Sequence, residues 1–136
     1  MADIVTMHRL SEGAVLKMLK VSIEKARELR TPVGVGIVDG GGHLRAWVLM
    51  DGAPPFAFDS VLKKARTAAY IGQPSGELPA EIGMNLAVSI PDFSNLPGGF
   101  PIVMNAEILG GIAVGGGPTE LDIAIAKAGI AAIQTD

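Results

Sequence analysis

Residues 96–122 read LPGGFPIVMNAEILGGIAVGGGPTELD, and this stretch does most to decide the fold. Two short apolar runs predict adjacent strands over about residues 100–105 and 107–114. The second run leads into glycines 115–117, where the backbone can adopt a positive φ and come close to a ligand. The segment therefore predicts a β-hairpin that ends at a glycine-rich turn.

A helix is predicted to follow that turn directly. Pro118 suits a first helical turn, and the carboxylates of Glu120 and Asp122 favour the positive end of a helix dipole. The small apolar residues that follow extend the predicted helix to Gln134 and occupy nearly all of its sides, which is typical of a buried helix.

The chain before this segment supplies the remaining elements. Apolar residues at helical spacing predict a first helix over residues 11–30, and Thr31-Pro32 ends it. Glycine-rich and proline-rich turns separate the other predicted elements: strands at 33–38 and 43–50, a helix at 58–71, and a short helix from Pro74-Ser75 to Ala87.

The resulting order is α-β-β-α-(α)-β-β-α, which predicts a mixed α/β (α+β) fold. Strands joined by tight turns pair antiparallel, so we expect an antiparallel sheet of about four to five strands covered by helices. A chain of 136 residues is expected to form a single domain, residues 1–136.

Composition narrows the function classes. Apolar residues make up 49% of the chain and aromatic residues only 4%, so the core is expected to consist of small aliphatic side chains. A small chain with this many apolar residues cannot bury them all in its own core, so it is expected to form a homo-oligomer. The net charge of −3, without a basic run, argues against a nucleic-acid partner.

The absence of cysteine excludes thiolate chemistry, iron–sulfur clusters and disulfides. No apolar run approaches the length of a membrane helix, and no secretory signal is visible, so no membrane partner and a cytoplasmic location are expected.

Six short motifs carry a family resemblance. They occur in order between about Ser11 and Ala132: the strand 33–39, the turn 42–44, Leu-Met-Asp-Gly-Ala at 49–53, Lys-Ala-Arg-Thr-Ala at 64–68, Gly-Gly-Phe-Pro-Ile at 98–102 and Gly-Gly-Ile-Ala-Val-Gly at 110–115. In this combination the chain resembles the GlcG/HbpS-like family, which includes the C-terminal domain of PduO proteins and is described as haem-binding. The resemblance implies a profilin-like three-layer arrangement and a small ligand, haem or a related tetrapyrrole.

Two positions depart from the family pattern. Leu49 stands where an arginine is usual, which removes one anchor for a carboxylate or a haem propionate. Phe100 stands where a small aliphatic residue is commoner, which could narrow or line a pocket.

The candidate haem ligands are the two histidines, His8 and His43, because a neutral imidazole can ligate haem iron. His43, beside a glycine turn, is the metal candidate in the β-hairpin; the alternative for each histidine is an exposed loop residue. The other predicted cofactor-binding residues flank the glycine turns: Lys64, Gly98, Gly99, Phe100, Pro101, Gly115 and Gly116.

Two other functions remain open from the sequence. The first is a small cofactor-free isomerase, tautomerase or hydrolase acting on an organic acid or an aromatic-catabolism intermediate, with Lys64 and either Asp51 or Glu120 as the acid–base pair. Lys64 could equally be an ordinary surface lysine. The second is an accessory subunit of a catabolic operon, with no chemistry of its own.

Overall fold

The computed structural model describes residues 2–133. Its elements, in chain order, are α1 (Glu12–Glu28), β1 (Gly34–Asp39), β2 (Leu44–Leu49), α2 (Ala57–Ile71), α3 (Ala80–Ser89), β3 (Gly99–Met104), β4 (Glu107–Gly115) and α4 (Thr119–Ala131). This order is the predicted one, and the α+β class is confirmed.

The four strands form one antiparallel sheet in the order β2-β1-β4-β3. Helices α1 and α4 pack against each other and against one face of the sheet, and α2 covers the opposite face. The predicted layering of helices on both sides of the sheet is therefore confirmed. The tight turn between β3 and β4 contains Asn105 (φ 49°) and Ala106 (φ 65°), a pair of positive φ values that is typical of a two-residue hairpin turn.

The sheet separates two apolar clusters. The larger cluster lies between the sheet and the α1–α4 pair and includes Met18, Val35, Ile37, Ile112 and Ile125. The smaller cluster lies between the sheet and α2 and consists of Val38, Val61, Ala65, Ala69 and Ala113. Alternate residues of β1 and β4 point to opposite faces, so each central strand contributes to both clusters.

Helix α2 lies unusually close to the sheet because glycine occupies the facing strand positions. A Cβ placed on Gly111 would overlap the carbonyl oxygen of Ala65. Small residues in α2 and in the facing strands therefore allow the backbone of α2 to come close to β3 and β4. This close approach positions the polar side chains of α2 described below.

Most helix boundaries lie within two residues of the sequence prediction, and the start of the third helix differs most. The third helix begins at Ala80, not at Pro74-Ser75. A helix through Pro79 would lose a backbone hydrogen bond, and Ser75 is instead used to fix the start of β3. Helix α4 is described from Thr119 to Ala131; Gln134, the predicted end, lies outside the described residues.

Candidate functional site

Lys64, in the middle of α2, is buried rather than exposed. Its side chain is 3% exposed, and its ammonium group donates to the carbonyl oxygens of Val114 (2.6 Å) and Pro97 (3.1 Å). Burial lowers the pKa of Lys64, and the charge of Asp122 partly offsets that effect. Lys64 therefore joins the end of β4 to the loop before β3, and two of its three donors are taken by backbone groups.

The glycine turns around Lys64 provide space for its side chain. Gly98 has a φ of +117°, and a Cβ there would lie 2.8 Å from the Lys64 Nζ atom. A Cβ on Gly115 would lie 3.0 Å from the same atom, and one on Gly99 would overlap the Lys64 carbonyl oxygen. Gly116 (φ +105°) lies against Pro54 instead.

The carboxylate that acts on Lys64 is Asp122, and not one of the two predicted acid–base partners. Asp122 is 5% exposed, and its Oδ1 atom accepts a hydrogen bond from the Gly117 amide at 3.0 Å. Burial raises the pKa of Asp122 to about 6, against the opposing effects of the Gly117 amide and of Lys64. Asp51 and Glu120, by contrast, are exposed.

Arg66 and Thr67 complete the polar set on α2. The Arg66 Nε atom donates to the Gly42 carbonyl at 2.8 Å, and its Nη1 atom pairs with Asp92 at 2.6 Å. The Thr67 hydroxyl accepts from the Ser94 amide at 2.8 Å. The Lys-Ala-Arg-Thr-Ala motif therefore connects α2 to the turn between β1 and β2, to the loop before β3 and to the end of β4.

Phe100 and Pro101 lie in β3, away from a ligand-sized cavity. Phe100 is half-buried against the larger apolar cluster, and the Lys127 ammonium lies 5.6 Å from the centre of its ring. Pro101 pairs with Gly111 in the ladder between β3 and β4. The assignment of these residues, and of the glycines around Lys64, to cofactor binding stays a prediction.

His8 lies at a cavity of about 520 Å³ beside the start of α1. Its backbone amide donates to Glu107 Oε2 at 2.8 Å, and its Nδ1 atom lies 2.7 Å from Glu107 Oε1. The hydrogen bonds from His8 lower the pKa of Glu107, so this carboxylate is ionised at neutral pH and can only accept. The His8 Nδ1 atom is therefore the donor in this contact, and Nε2 is the ring nitrogen that Glu107 does not engage.

We call this space the His8 cavity and define it by His8, Arg9, Leu10, Lys17, Met104 and Leu109, which are among the residues that line it. Its walls combine apolar side chains with two cationic ones. A volume of this size is in the range of sites for small molecules and cofactors.

His43 is placed differently. Its Nδ1 atom lies 3.2 Å from Asp39 Oδ1 in the turn between β1 and β2, and its side chain is 81% exposed. The same carboxylate–histidine arrangement therefore occurs at both histidines, and the side chain of His8 is 61% exposed.

A second cavity, of about 490 Å³, lies beside the C-terminal end of α1. We call it the Arg27 cavity and define it by Ile23, Arg27, Arg30, Leu49, Met50 and Asp51, which are among the residues that line it. Neither Arg27 nor Arg30 was among the predicted site residues, so the sequence did not predict this cavity. Of the predicted site residues, only His8 and Asp51 line either cavity within the part of the chain described here.

Comparison with known proteins gives this geometry a context. Residues 10–131 match the family described as haem degrading protein HbpS-like. The chain belongs to this family. Among its relatives is the protein GlcG of Escherichia coli strain K12, which is 32% identical over 108 residues, 77% of this chain and 80% of that protein.

Two solved structures of family members are similar over almost the whole chain. The PduOC:haem complex has a TM-score of 0.87 and 27% identity, and the alignment covers 95% of this chain and 98% of that one. HbpS has a TM-score of 0.84 and 29% identity, with coverage of 97% and 95%. The resemblance drawn from the sequence motifs is thereby confirmed.

For residues 2–133, no helix is both long and apolar enough to cross a membrane. Within the same residues, no group of three or more histidine or acidic side chains could hold a metal ion.

Proposed function

We propose that this protein binds haem in the His8 cavity, with His8 as the ligand of the iron. The observation that carries the proposal is the contact between His8 Nδ1 and Glu107, which leaves Nε2 as the ring nitrogen that could bind the iron. Haem iron takes a neutral imidazole as an axial ligand. A carboxylate on the other ring nitrogen orients such a ligand and raises its basicity.

The walls of the His8 cavity fit the two ends of a haem molecule. Leu10 and Leu109 are buried and offer apolar contact to a porphyrin ring. Arg9 and Lys17 supply positive charge for propionate groups. The haem bound by the related PduOC structure supports the choice of ligand. The family description also mentions haem degradation, but binding is the part that this cavity supports.

The test is a haemin titration of the purified protein, followed in the Soret region. We expect a saturable shift in the wild type, its loss in His8→Ala, and its retention in the matched variant His43→Ala. Glu107→Ala should weaken binding by about 10- to 100-fold, the usual effect of removing the partner of a metal-bound histidine. A featureless titration, or loss of the shift in His43→Ala alone, would contradict the proposal.

Self-association stays a prediction, and the surface around β2 supports it. Phe58 is 47% exposed and stacks on Trp47 with ring centres 3.8 Å apart, and Phe56, two positions earlier in the chain, is 65% exposed. Within residues 2–133, the Trp47 indole N–H is buried without a hydrogen-bond partner. Sedimentation at micromolar concentration should give an oligomer, and a monomer would exclude it.

A further inference from the structure

We propose that the Arg27 cavity is a second binding site, separate from the His8 cavity, and that it takes a small monocarboxylate with an apolar body. The site is formed by the last turn of α1, the segment Thr31-Pro32 and the end of β2. It does not depend on the haem proposal, because none of its lining residues lines the His8 cavity.

Two guanidinium groups give the cavity its preference for an anion. Arg27 and Arg30 both line it, and within residues 2–133 neither forms an ion pair with a carboxylate. A guanidinium presents a planar fork of donors that matches a carboxylate. The carbonyl end of α1 carries a partial charge of only about −0.5, so the positive charge of the two arginines exceeds it.

The backbone at Arg30 supports a role beyond helix termination. Arg30 has a φ of +54°, and its amide donates to the Arg27 carbonyl while the Thr31 amide donates to that of Ala26. This arrangement ends α1 with a left-handed residue, a position where glycine is strongly preferred. Arg30 therefore places a charged side chain at the edge of the cavity, at a backbone position that glycine would occupy with less strain.

The remaining walls set the shape of the ligand. Ile23, Leu49 and Met50 are half-buried and present apolar surface. Asp51 also lines the cavity and carries a negative charge, so a dianion or trianion is disfavoured. A single carboxylate on the arginine side, joined to a short aliphatic or aromatic body on the apolar side, satisfies all of these groups.

The test is an NMR titration of the ¹⁵N-labelled wild-type protein with benzoate. We expect saturable shifts of the Arg27, Arg30, Thr31 and Met50 amides. The neutral analogue benzamide should bind at least about tenfold more weakly, because it lacks the charge that strengthens hydrogen bonds to arginine.

Three variants separate binding from folding. Arg30→Gly removes the guanidinium and relieves the left-handed backbone, so benzoate affinity should fall about tenfold while thermal stability is kept or raised. Arg27→Gln should also lower the affinity about tenfold, and Asp51→Asn should raise it. Lys20→Gln, which removes an exposed cation of α1 that lines neither cavity, is the control and should leave the affinity unchanged.

Four results would overturn the proposal: no saturation at tens of millimolar benzoate, shifts centred away from this cavity, equal binding of benzamide, or unchanged affinity in both arginine variants. A featureless haemin titration would leave it intact, since the two sites share no residue.

Discussion

Replacing Asp122 with asparagine should abolish a defined part of the pH dependence of stability. Asp122 is 5% exposed, and burial raises its pKa to about 6 from the value of 3.8 for an unperturbed aspartate. The folded state therefore holds this proton to higher pH than the unfolded state does. The corresponding stabilisation is complete below pH 3.8 and is lost as the pH rises through about 6.

The size of the effect follows from the two pKa values. The interval between 3.8 and about 6, at about 1.36 kcal/mol for each pKa unit, corresponds to about 3 kcal/mol of unfolding free energy. Asp122→Asn keeps an oxygen that can accept from the Gly117 amide but cannot ionise. Between pH 4 and pH 7, which covers most of this range, the wild type should therefore lose about 2.4 kcal/mol relative to this variant.

The assay is urea unfolding at one protein concentration, at intervals of one pH unit from 4 to 8. Glu120→Gln is the matched control, because Glu120 lies in the same first turn of α4 but is exposed; its profile should run parallel to that of the wild type. The attraction to Lys64 exists only when Asp122 is ionised, so it is already included in the pKa of about 6 and needs no separate correction. Parallel profiles for the wild type and Asp122→Asn would refute the reasoning.

Two further predictions concern the contact between α2 and the sheet. Gly111→Ala should destabilise the protein by about 3 kcal/mol or more, because its Cβ would overlap the Ala65 carbonyl. Gly36→Ala should destabilise it less, because its Cβ would lie 3.2 Å from a Val61 methyl group. Equal urea midpoints for the two variants would contradict this order. Lys64→Met should cost about 1–3 kcal/mol by leaving two carbonyl groups without their donor, and unchanged thermal unfolding would show that these hydrogen bonds contribute nothing.

The fold was predictable because its signals are local. The apolar runs on either side of Asn105-Ala106 indicate a hairpin without knowledge of the rest of the chain, and both strands lie within one residue of their predicted ends. The third helix was placed too early because Pro74-Ser75 was interpreted as a helix start. Only the effect of Pro79 on the backbone decides that the helix begins at Ala80.

The candidate site was less predictable because its contacts join distant parts of the chain. Lys64 was recognised from its motif, but its carboxylate neighbour, Asp122, lies 58 positions later and reaches it only through the packing of α2 on β4. Likewise, nothing local to either histidine separates His8 from His43. His8 lines a cavity only because its partner Glu107, 99 positions away, begins β4 beside the N-terminal segment.

The structure separates the Lys-Ala-Arg-Thr-Ala motif of α2 from both ligand-sized cavities. Lys64, Arg66 and Thr67 direct their polar atoms to loops of the same chain, so the motif on α2 maintains the scaffold. Both cavities lie instead beside the two ends of α1. Leu49, the departure from the usual arginine, lines the one that contains Arg27 and Arg30. An arginine at position 49 would be a third cation at this cavity, beside Arg27 and Arg30. Because the side chains that line both cavities lie on α1 and its neighbouring segments, substitutions there can alter ligand binding without disturbing the contacts of α2 that maintain the fold.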